Sequence, residues 1–511
     1  MIMMTRKMIF LWRFLSIMGV FVSLITRAED RPNIIFLFAD DQAYDTLGCY
    51  GNPDVKTPHI DRIGQSGLIF DRHYNTTAIC MASRANVMTG LLEYRTGCNF
   101  MHGPMAQSIW EQSYPKRLRS SGYRTAFGGK FGFAIVEDPR KGGSDNKYEH
   151  LPLTDFDFWV GGLGQTHYVT AKNKYLAPYA ENYPHSTRAY GAAGVDFISE
   201  SVKADKPFCL TLFFKAPHRP TTPDPVFDHV YRETHFRKLP NYGREAGRHL
   251  APQSKMGRQY PRFEEWGYHT EESYQSALRT YHQQIHGIDV AVGMLMQALE
   301  NQGVADNTVI IYSSDNGFFN GSHGLGSKVL PYEEGARVPL MILDPRVHES
   351  LRGRRTSAVS GNIDITATIM DLAGIGHTHA MDGRSLMPMV RGKAKRVRDR
   401  LPLIQVWGTA GTLAMGVVTE QYKYIFWPYG EGIDPHEELF DIQFDPYEMR
   451  NLAAMQENHP ALQGMKNHYN EELNRWKKNA VPHNDYKPFG TIFDLALSWE
   501  EKKTALPKQF K

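Results

Sequence analysis

Several stretches of the chain are continuously apolar instead of alternating between apolar and polar positions. Residues 33–39, 208–214 and 308–314 are the clearest of these runs. Uninterrupted runs of this length are typical of strands that are buried on both faces of a parallel sheet. The pattern therefore predicts an α/β fold built on a mixed, mainly parallel sheet flanked by helices.

One segment shows the helical period instead. In residues 271–302, the apolar positions Ile285, Ile288, Val292, Leu295 and Leu299 recur at alternating spacings of three and four. This spacing places them on one helix face, and the glycine at position 303 is a suitable stop. We expect a long helix that covers one face of the sheet and leads directly into the strand at 308–314.

The pattern changes after residue 400. Short strand-like runs at 414–418, 422–427 and 438–441 are separated by turns, which is typical of an antiparallel sheet. The sequence thus predicts a large domain over residues 29–400 and a smaller α+β C-terminal subdomain over residues 401–511.

Composition limits the function classes. The chain has 511 residues, of which 41% are hydrophobic and 22% are charged, as is ordinary for a globular protein. Its formal net charge is +3, which is too close to balance to indicate nucleic-acid or membrane binding. We expect neither partner.

Residues 1–28 have the pattern of a signal peptide. Basic residues precede an apolar run at 14–25, and small residues follow at positions that a signal peptidase reads. An uncleaved anchor is the alternative, but the run is short for a membrane span. We expect an exported protein, periplasmic or secreted, with no stable membrane span after cleavage.

Polar residues follow two of the apolar strands. Asp40 and Asp41 come after the first run, and Asp315 and Asn316 come after the run at 308–314. Open α/β sheets place ligands beyond the carboxyl ends of their strands, and adjacent carboxylates repel each other unless a cation lies between them. Carboxylate and amide oxygens favour Ca²⁺ or Mg²⁺, although an Asp-Asp pair alone is also common in a solvated turn.

A nucleophile-type side chain lies where a helix begins. Cys80 opens the segment Cys-Met-Ala-Ser-Arg, and the residues after Ser83 favour a helix. Unpaired backbone N–H groups and the helix dipole favour an anion at this point, and Arg84 adds a planar donor fork. On Cys80 and Arg84 alone, a buried structural cysteine beside a surface arginine is the simpler interpretation.

The segment resembles the signature of the type I sulfatases, Cys-x-Pro/Ala-Ser-Arg followed by Thr-Gly, here Thr89-Gly90. The resemblance implies an alkaline-phosphatase-like fold and the conversion of Cys80 to formylglycine by a maturation enzyme. It also implies a divalent cation held by Asp40, Asp41, Asp315, Asn316 and the side chain at position 80. We expect Ca²⁺ in preference to Mg²⁺, because flexible cages of protein oxygens suit calcium.

Three further segments resemble the same family. Lys130 follows a Gly-Gly turn, and Lys328 follows a His-Gly pair in the segment 323–328; the resemblance implies that both lysines and Arg84 hold the sulfate oxyanion. His218, in Pro-His-Arg-Pro, is implied to protonate the departing alcohol, a task that suits a histidine near its ordinary pKa. Gly132 departs from the family pattern, which has a histidine at this position.

A long irregular stretch, residues 224–268, is rich in basic and aromatic side chains. Its basic residues include Arg232, Arg237, Lys238, Arg244, Arg248, Lys255, Arg258 and Arg262. Long loops in compact domains often form binding walls, and a basic wall suits a polyanionic sulfated sugar. A solvated excursion without a binding role is the alternative.

The resulting hypothesis is a sulfuric ester hydrolase acting on a sulfated small molecule or glycan. A phosphate or phosphonate monoesterase of the same superfamily is one alternative, because the two anions have similar charge and shape. A non-catalytic sulfated-glycan binder is the other, and Gly132 makes it conceivable. A serine or cysteine protease is disfavoured, because no other motif offers a nucleophile.

Overall fold

The apolar runs form the centre of one large sheet. The computed structural model describes residues 31–141, 147–376, 381–455 and 459–511, so the leader at 1–28 lies outside the described residues. In chain order the strands are β1 (Asn33–Ala39), β2 (Leu68–Tyr74), β3 (Met105–Ala106), β4 (Arg124–Lys130), β5 (Ile135–Val136), β6 (Phe158–Gly162), β7 (Phe208–Phe213), β8 (Thr308–Ser314), β9 (Arg337–Leu343), β10 (Arg354–Thr356), β11 (Ser360–Gly361), β12 (Arg400–Gln405), β13 (Ala414–Thr419), β14 (Tyr422–Trp427) and β15 (His436–Asp441).

The large sheet is mixed and mainly parallel, as predicted. Its order is β10-β2-β9-β8-β1-β7-β4-β6, and β11 pairs with β2. Strand β9 runs antiparallel to β2 and β8, whereas β1, β4, β6, β7 and β8 run parallel to their other neighbours. The strands that carry the predicted site residues, β8, β1, β7 and β4, are therefore consecutive in the sheet.

Helices cover both faces of the large sheet, and those after residue 450 lie in the C-terminal part. They are α1 (Pro58–Ser66), α2 (Cys80–Thr89), α3 (Glu93–Thr96), α4 (Gln107–Trp110), α5 (Tyr114–Ser120), α6 (Ser186–Lys203), α7 (Arg262–Glu265), α8 (Glu271–Asn301), α9 (Glu333–Ala336), α10 (Ile363–Leu372), α11 (Met387–Val390), α12 (Leu452–Met455), α13 (Pro460–Asn479), α14 (Phe489–Ile492) and α15 (Trp499–Thr504). Within the described ranges, no helix has the length and apolar character that crossing a membrane requires.

Strand β1 shows why the apolar runs do not alternate. Ile35 and Leu37 face a core cluster that contains Leu295 of α8, whereas Phe36 faces a second cluster that contains Met370 of α10. Both faces of the strand are thus buried, so both sets of positions are apolar. The helix predicted at residues 271–302 is confirmed as α8, and the Thr270 hydroxyl caps its N-terminus.

The C-terminal part forms a separate antiparallel sheet in the order β12-β13-β14-β15. Helix α13 packs against it, and Trp476 of α13 lies in the same core cluster as Tyr424 of β14. The predicted antiparallel C-terminal subdomain is confirmed. The assignment of the domain boundary to residues 400 and 401 stays a prediction.

Candidate active site

The carboxyl ends of four adjacent strands converge at one point. Asp40 and Asp41 follow β1, Asp315 follows β8, Lys130 ends β4, and His218 lies in the loop after β7. Because these strands are parallel neighbours, their ends meet at one edge of the sheet. Residues that are far apart in the sequence are thus brought together, as the strand-end argument predicts.

Helix α2 brings Cys80 to this edge. The helix begins at Cys80 and is buried along its whole length. The Cys80 Sγ atom lies 2.7 Å from Nζ of Lys328 and 3.4 Å from Oδ1 of Asp40. Ser83, one turn along, donates to Oδ1 of Asn75 at 3.0 Å. The predicted position of the thiol at a helix N-terminus is confirmed.

The thiol at position 80 is a weak nucleophile as encoded. Burial raises its pKa to about 12, and the nearby Asp40 carboxylate adds to this shift against the opposing effect of the two lysines. A thiol with this pKa contains little thiolate near neutral pH, and the thiolate is the reactive form. Cys80 as encoded is therefore held mainly as a thiol.

Asp40 is surrounded by positive charge. Its Oδ2 atom lies 2.5 Å from Nζ of Lys130 and 3.4 Å from Nη2 of Arg84. Burial alone would raise the pKa of Asp40, but Lys130, His218, Arg84 and Lys328 together hold it well below its ordinary value. Asp40 is therefore an ionised carboxylate inside the protein.

Asp41 is held in an unusual backbone conformation. Its φ is 69°, in the left-handed region that non-glycine residues rarely adopt. Its N–H donates to Oδ1 of Asp315 at 3.1 Å, and its carbonyl accepts from the Tyr281 hydroxyl at 2.6 Å. Strained residues of this kind often occur at functional sites. The side chain of Asp41 pairs with Nζ of Lys328.

The sequence reasoning missed Tyr281, although a signal was present. Position 281 lies four residues before Ile285 and so belongs to the same apolar face of α8. A tyrosine on that face brings a hydroxyl to the sheet edge. Its hydroxyl contacts the backbone of both Asp41 and Ala43.

Arg84 makes its contacts inside the cluster. Its Nε and Nη2 atoms lie 2.9 and 2.8 Å from Oδ2 of Asp315, and its Nη1 donates to the Lys130 carbonyl at 2.6 Å. Burial raises the pKa of Asp315 to about 6, with Asp40 adding to the rise and Arg84 opposing it. The expected role of Arg84 in holding an oxyanion stays a prediction, and these contacts add a positioning role.

The cluster has the donor set of a cation site. Ligand atoms of Asp40, Asp41, Cys80 and His218 all lie within 4.8 Å of one another. Asn316 donates from Nδ2 to Oδ1 of Asp41 at 2.8 Å, while its buried Oδ1 has no hydrogen-bond partner among the described residues. A buried unpartnered oxygen beside carboxylates is what a hard divalent cation would satisfy.

One member of the predicted ligand set is engaged elsewhere. Both carboxylate oxygens of Asp315 already accept hydrogen bonds, one from Arg84 and one from the Asp41 backbone. His218 lies in the ligand cluster instead. The ligand roles of Asp40, Asp41, Cys80, Asp315 and Asn316 therefore stay predictions.

A cavity of about 440 Å³ opens onto the cluster. Its inner wall contains Asp41, His218 and Lys328. His218 Nε2 lies 3.8 Å from Oδ2 of Asp41, and the Tyr168 hydroxyl donates to the His218 carbonyl at 2.6 Å. Burial lowers the pKa of His218 to about 4, despite the two nearby aspartates. The pKa of His218 thus lies below the ordinary histidine value, because the ring lies in a poorly solvated wall, and its role as proton donor stays a prediction.

Lys215 is a further charged residue that the sequence reasoning did not single out. Its side chain is buried, and its Nζ donates to the Gln165 carbonyl at 2.9 Å above the Tyr168 ring. Burial lowers its pKa, and Asp40 opposes that shift. Lys215 directly follows the apolar run at 208–214, and this position at a strand end could have identified it as a candidate site residue.

Two protein families match parts of this chain. Residues 32–375 match the family described as "Sulfatase", and residues 321–478 match "N-sulphoglucosamine sulphohydrolase, C-terminal". The first match covers most of the large domain and all of the strand-end cluster. The second spans the end of that domain and most of the C-terminal sheet subdomain.

Characterised relatives have similar extents. The N-acetylglucosamine-6-O-sulfatase of Bacteroides thetaiotaomicron is 27% identical over 492 residues, which covers 84% of this chain and 83% of the relative. The human N-acetylglucosamine-6-sulfatase is 30% identical over 396 residues, covering 73% and 67% respectively. The choline-sulfatase of Rhizobium meliloti is 29% identical, covering 83% of this chain and 82% of the relative.

Solved structures share the fold. One, a complex with its substrate D-glucosamine-2-N,6-O-disulfate, superposes with a TM-score of 0.70 at 25% identity, covering 88% of this chain and 99% of the other. The phosphonate monoester hydrolase of Agrobacterium radiobacter has a TM-score of 0.68 at 21% identity, covering 88% and 96%, which shows the fold alone. The fold is therefore the alkaline-phosphatase-like one, the activity is sulfuric ester hydrolysis, and the chain belongs to the type I sulfatase family.

Proposed function

We propose that this sulfatase removes sulfate from a sulfated saccharide, with residue 80 in its formylglycine form as the nucleophile. The observation that carries the proposal is the convergence of Asp40, Asp41, residue 80 and His218 within 4.8 Å beside a cavity. Relatives named for N-acetylglucosamine 6-sulfate support a saccharide substrate. Formylglycine, when formed, supplies a hydrated aldehyde whose oxygen can attack sulfur.

We further propose Ca²⁺ as the resident cation, held by Asp40, Asp41, Asn316 and the side chain at residue 80, with Asp315 beside them. The ion would supply Lewis-acid polarisation of a sulfate oxygen. Three aspartates face Arg84 and two lysines, so the cluster is balanced before an ion binds. A divalent cation then makes the site positive, which favours an anionic ester.

The remaining steps are assigned to the chain's own side chains. Lys130 and Lys328 place ammonium groups beside the nucleophile and would neutralise charge that develops on the sulfate oxygens. His218 lies on the cavity wall and would pass a proton to the departing alcohol; an anionic ester bound beside the ring would raise its pKa from the low value that burial gives it. Tyr168 fixes the backbone of His218 through its carbonyl, which keeps the imidazole on the cavity wall.

We also propose that residues 1–28 direct export and are removed, giving a periplasmic or secreted enzyme. A formylglycine-generating enzyme would be the maturation partner. The basic lead and apolar run of the leader support export.

The test is ester hydrolysis by protein produced together with a maturation enzyme. We expect the wild-type enzyme to release sulfate from N-acetylglucosamine 6-sulfate. The Cys80→Ala variant should release none, although its melting temperature should equal that of the wild type. Faster release of phosphate from 4-nitrophenyl phosphate than of sulfate from 4-nitrophenyl sulfate would favour the monoesterase alternative. Saccharide retention without sulfate release by fully matured protein would favour the glycan-binding alternative.

A further inference from the structure

Three arginines line the outer part of the active-site cavity. Arg219, Arg258 and Arg262 share this wall with Trp266, while Lys328 and His218 lie on the inner side. Among the described residues, no carboxylate forms a salt bridge with any of the three guanidinium groups. The outer part of a cavity that reaches Asp41 and Lys328 is thus lined by guanidinium groups that have no salt-bridge partner among the described residues.

Five other basic residues of the same stretch behave differently. Each has an acidic partner or a backbone carbonyl acceptor, and none of them lines this cavity: Arg237 with Asp54, Lys238 with Glu271, Arg244 with Glu264, Arg248 with Glu245, and Lys255 with the Arg248 carbonyl. Arg232 does not line this cavity either, so the basic wall expected from residues 224–268 reduces to Arg258 and Arg262. Arg219, from the loop that carries His218, joins them.

Aromatic and hydroxyl contacts hold the three side chains in place. The guanidinium groups of Arg219 and Arg262 lie 4.7 and 4.4 Å from the Trp266 ring, and that of Arg258 lies 3.9 Å from the Trp407 ring. Arg262 also donates to the Ser327 hydroxyl at 3.0 Å, next to Lys328. Stacking orients planar donor forks without consuming their hydrogen bonds, which leaves donors free for a ligand.

The three guanidinium groups repel one another, which indicates that an anion would bind among them. Burial and the neighbouring Arg262 lower the pKa of Arg258 to about 10. Burial lowers the pKa of Arg262; the carboxylates of Glu265 and Asp41 oppose this shift, and Arg219 adds a smaller lowering effect. An anion placed among the three groups would relieve this repulsion and accept their hydrogen bonds.

We propose that Arg219, Arg258 and Arg262 form a second anion subsite, so that the preferred substrate is a saccharide with a second acidic group besides the sulfate that is removed. The second group is a sulfate or a carboxylate, both of which match the planar donor fork of arginine. The proposal rests on the saccharide sulfatase function proposed above and specifies its substrate class.

The experiment compares kcat/KM for saccharides with one and two anionic groups. The probes are N-acetylglucosamine 6-sulfate, glucosamine 2-N,6-O-disulfate, and a disaccharide that joins N-acetylglucosamine 6-sulfate to a hexuronate. Charge-assisted hydrogen bonds predict that the wild-type enzyme prefers at least one of the two dianionic probes by about tenfold or more. The preferred probe identifies the second group as sulfate or carboxylate.

The Arg258→Gln and Arg262→Gln variants test the residues themselves. We expect each to reduce the preference severalfold, and added salt to reduce it in the wild type. Arg248→Gln is the matched control, because Arg248 belongs to the same stretch and its side chain is 77% exposed; it should keep the wild-type ratio. Melting temperatures check that every variant folds.

The outcomes separate the subsite from the function on which it rests. Sulfate release with equal kcat/KM for all three probes would overturn the subsite alone. If the Arg258→Gln/Arg262→Gln double variant kept the preference for a dianionic probe, the assignment of the subsite to these arginines would be overturned. Failure of the matured wild-type enzyme to release sulfate from any saccharide would instead overturn the proposed function.

Discussion

A side chain at position 132 would collide with Arg84. A β-carbon built on Gly132 lies 2.6 Å from Cδ of Arg84, and Gly132 has a φ of +91°. Other residues rarely adopt this conformation. Arg84 in turn binds Asp315 and the Lys130 carbonyl. The glycine that departs from the family pattern is therefore required by the position of the arginine in this chain.

We accordingly predict that Gly132→His does not restore a family-like activity but lowers it. The imidazole would displace Arg84 and with it Asp315, so kcat/KM should fall by about tenfold or more. The measurement is sulfate release together with the melting temperature.

Gly122→Ala is the control for backbone strain. Gly122 has a φ of +90°, yet a β-carbon added there would meet nothing within 4 Å. The substitution should lower the melting temperature slightly and leave kcat/KM unchanged. If Gly132→His matched or exceeded wild-type activity, the collision with Arg84 would not constrain the site.

The sequence predicted the elements better than the contacts between them. The double-sided apolar runs and the period of α8 identified the sheet and the main helix, because burial fixes those patterns directly. Strand-end reasoning also located Asp40, Asp315 and Lys130 at one edge. It could not show that Arg84 turns towards Asp315, because a side chain's direction depends on partners that are distant in the sequence.

The depressed pKa of His218 was unpredictable for a similar reason. Desolvation depends on how the cavity wall packs, and no local motif reports it. No local motif shows, either, which arginines of residues 224–268 have acidic partners and which have none. Some acidic partners come from positions that only the fold brings near, such as Asp54 for Arg237.

Tyr281→Phe tests how Asp41 is positioned. Removing the hydroxyl leaves the Asp41 carbonyl without its 2.6 Å hydrogen bond. Loss of such supporting contacts typically weakens metal affinity by about 10–100-fold. We expect a higher Ca²⁺ concentration for half-maximal reactivation after chelation, with the fold retained. Tyr179→Phe, whose hydroxyl bonds the exposed Asp196, should behave as wild type; an identical Ca²⁺ requirement in Tyr281→Phe would contradict the positioning role.

Asn316→Ala tests the cation site directly. The buried Oδ1 of Asn316 has no hydrogen-bond partner among the described residues, so the substitution removes a candidate ligand together with the Nδ2 hydrogen bonds to Asp41 and the Gly317 carbonyl. We predict that chelation abolishes wild-type activity, that Ca²⁺ restores it better than Mg²⁺, and that Asn316→Ala needs about tenfold more Ca²⁺ or worse. Asn301→Ala, at the exposed end of α8, is the control. Full activity of chelated wild-type enzyme would exclude an essential cation.

A buried carboxyl away from the nucleophile predicts a pH dependence of stability. Glu334 lies near His323, Glu333, Lys423 and Glu448. Asn241 donates to its Oε1, whereas its Oε2 lies 3.7 Å from Nε2 of His323 and accepts no hydrogen bond from the described residues. Burial raises the pKa of Glu334 to about 7 from 4.5. Its stabilising contribution is therefore complete below about pH 4.5 and is lost as the pH rises through about 7.

Glu334→Gln cannot ionise, so its melting temperature relative to wild type should rise between pH 5.5 and pH 8, by about 2 °C or more. Differential scanning fluorimetry at the two pH values measures this difference. Glu245→Gln, at an exposed position, should show no such change. A constant difference between Glu334→Gln and wild type would mean that Glu334 does not titrate in this range.

The central claim is that residue 80 acts as a formylglycine at the strand-end cluster, and mass spectrometry tests it most directly. Tryptic digestion of protein matured in the presence of the modifying enzyme releases the peptide of residues 73–84. We predict that its mass shows conversion of the cysteine –CH2–SH group to an aldehyde –CHO group, which loses one sulfur and two hydrogens and gains one oxygen. Sulfate release should be proportional to the converted fraction across preparations. Full activity in protein whose residue 80 is entirely unmodified cysteine would contradict the account.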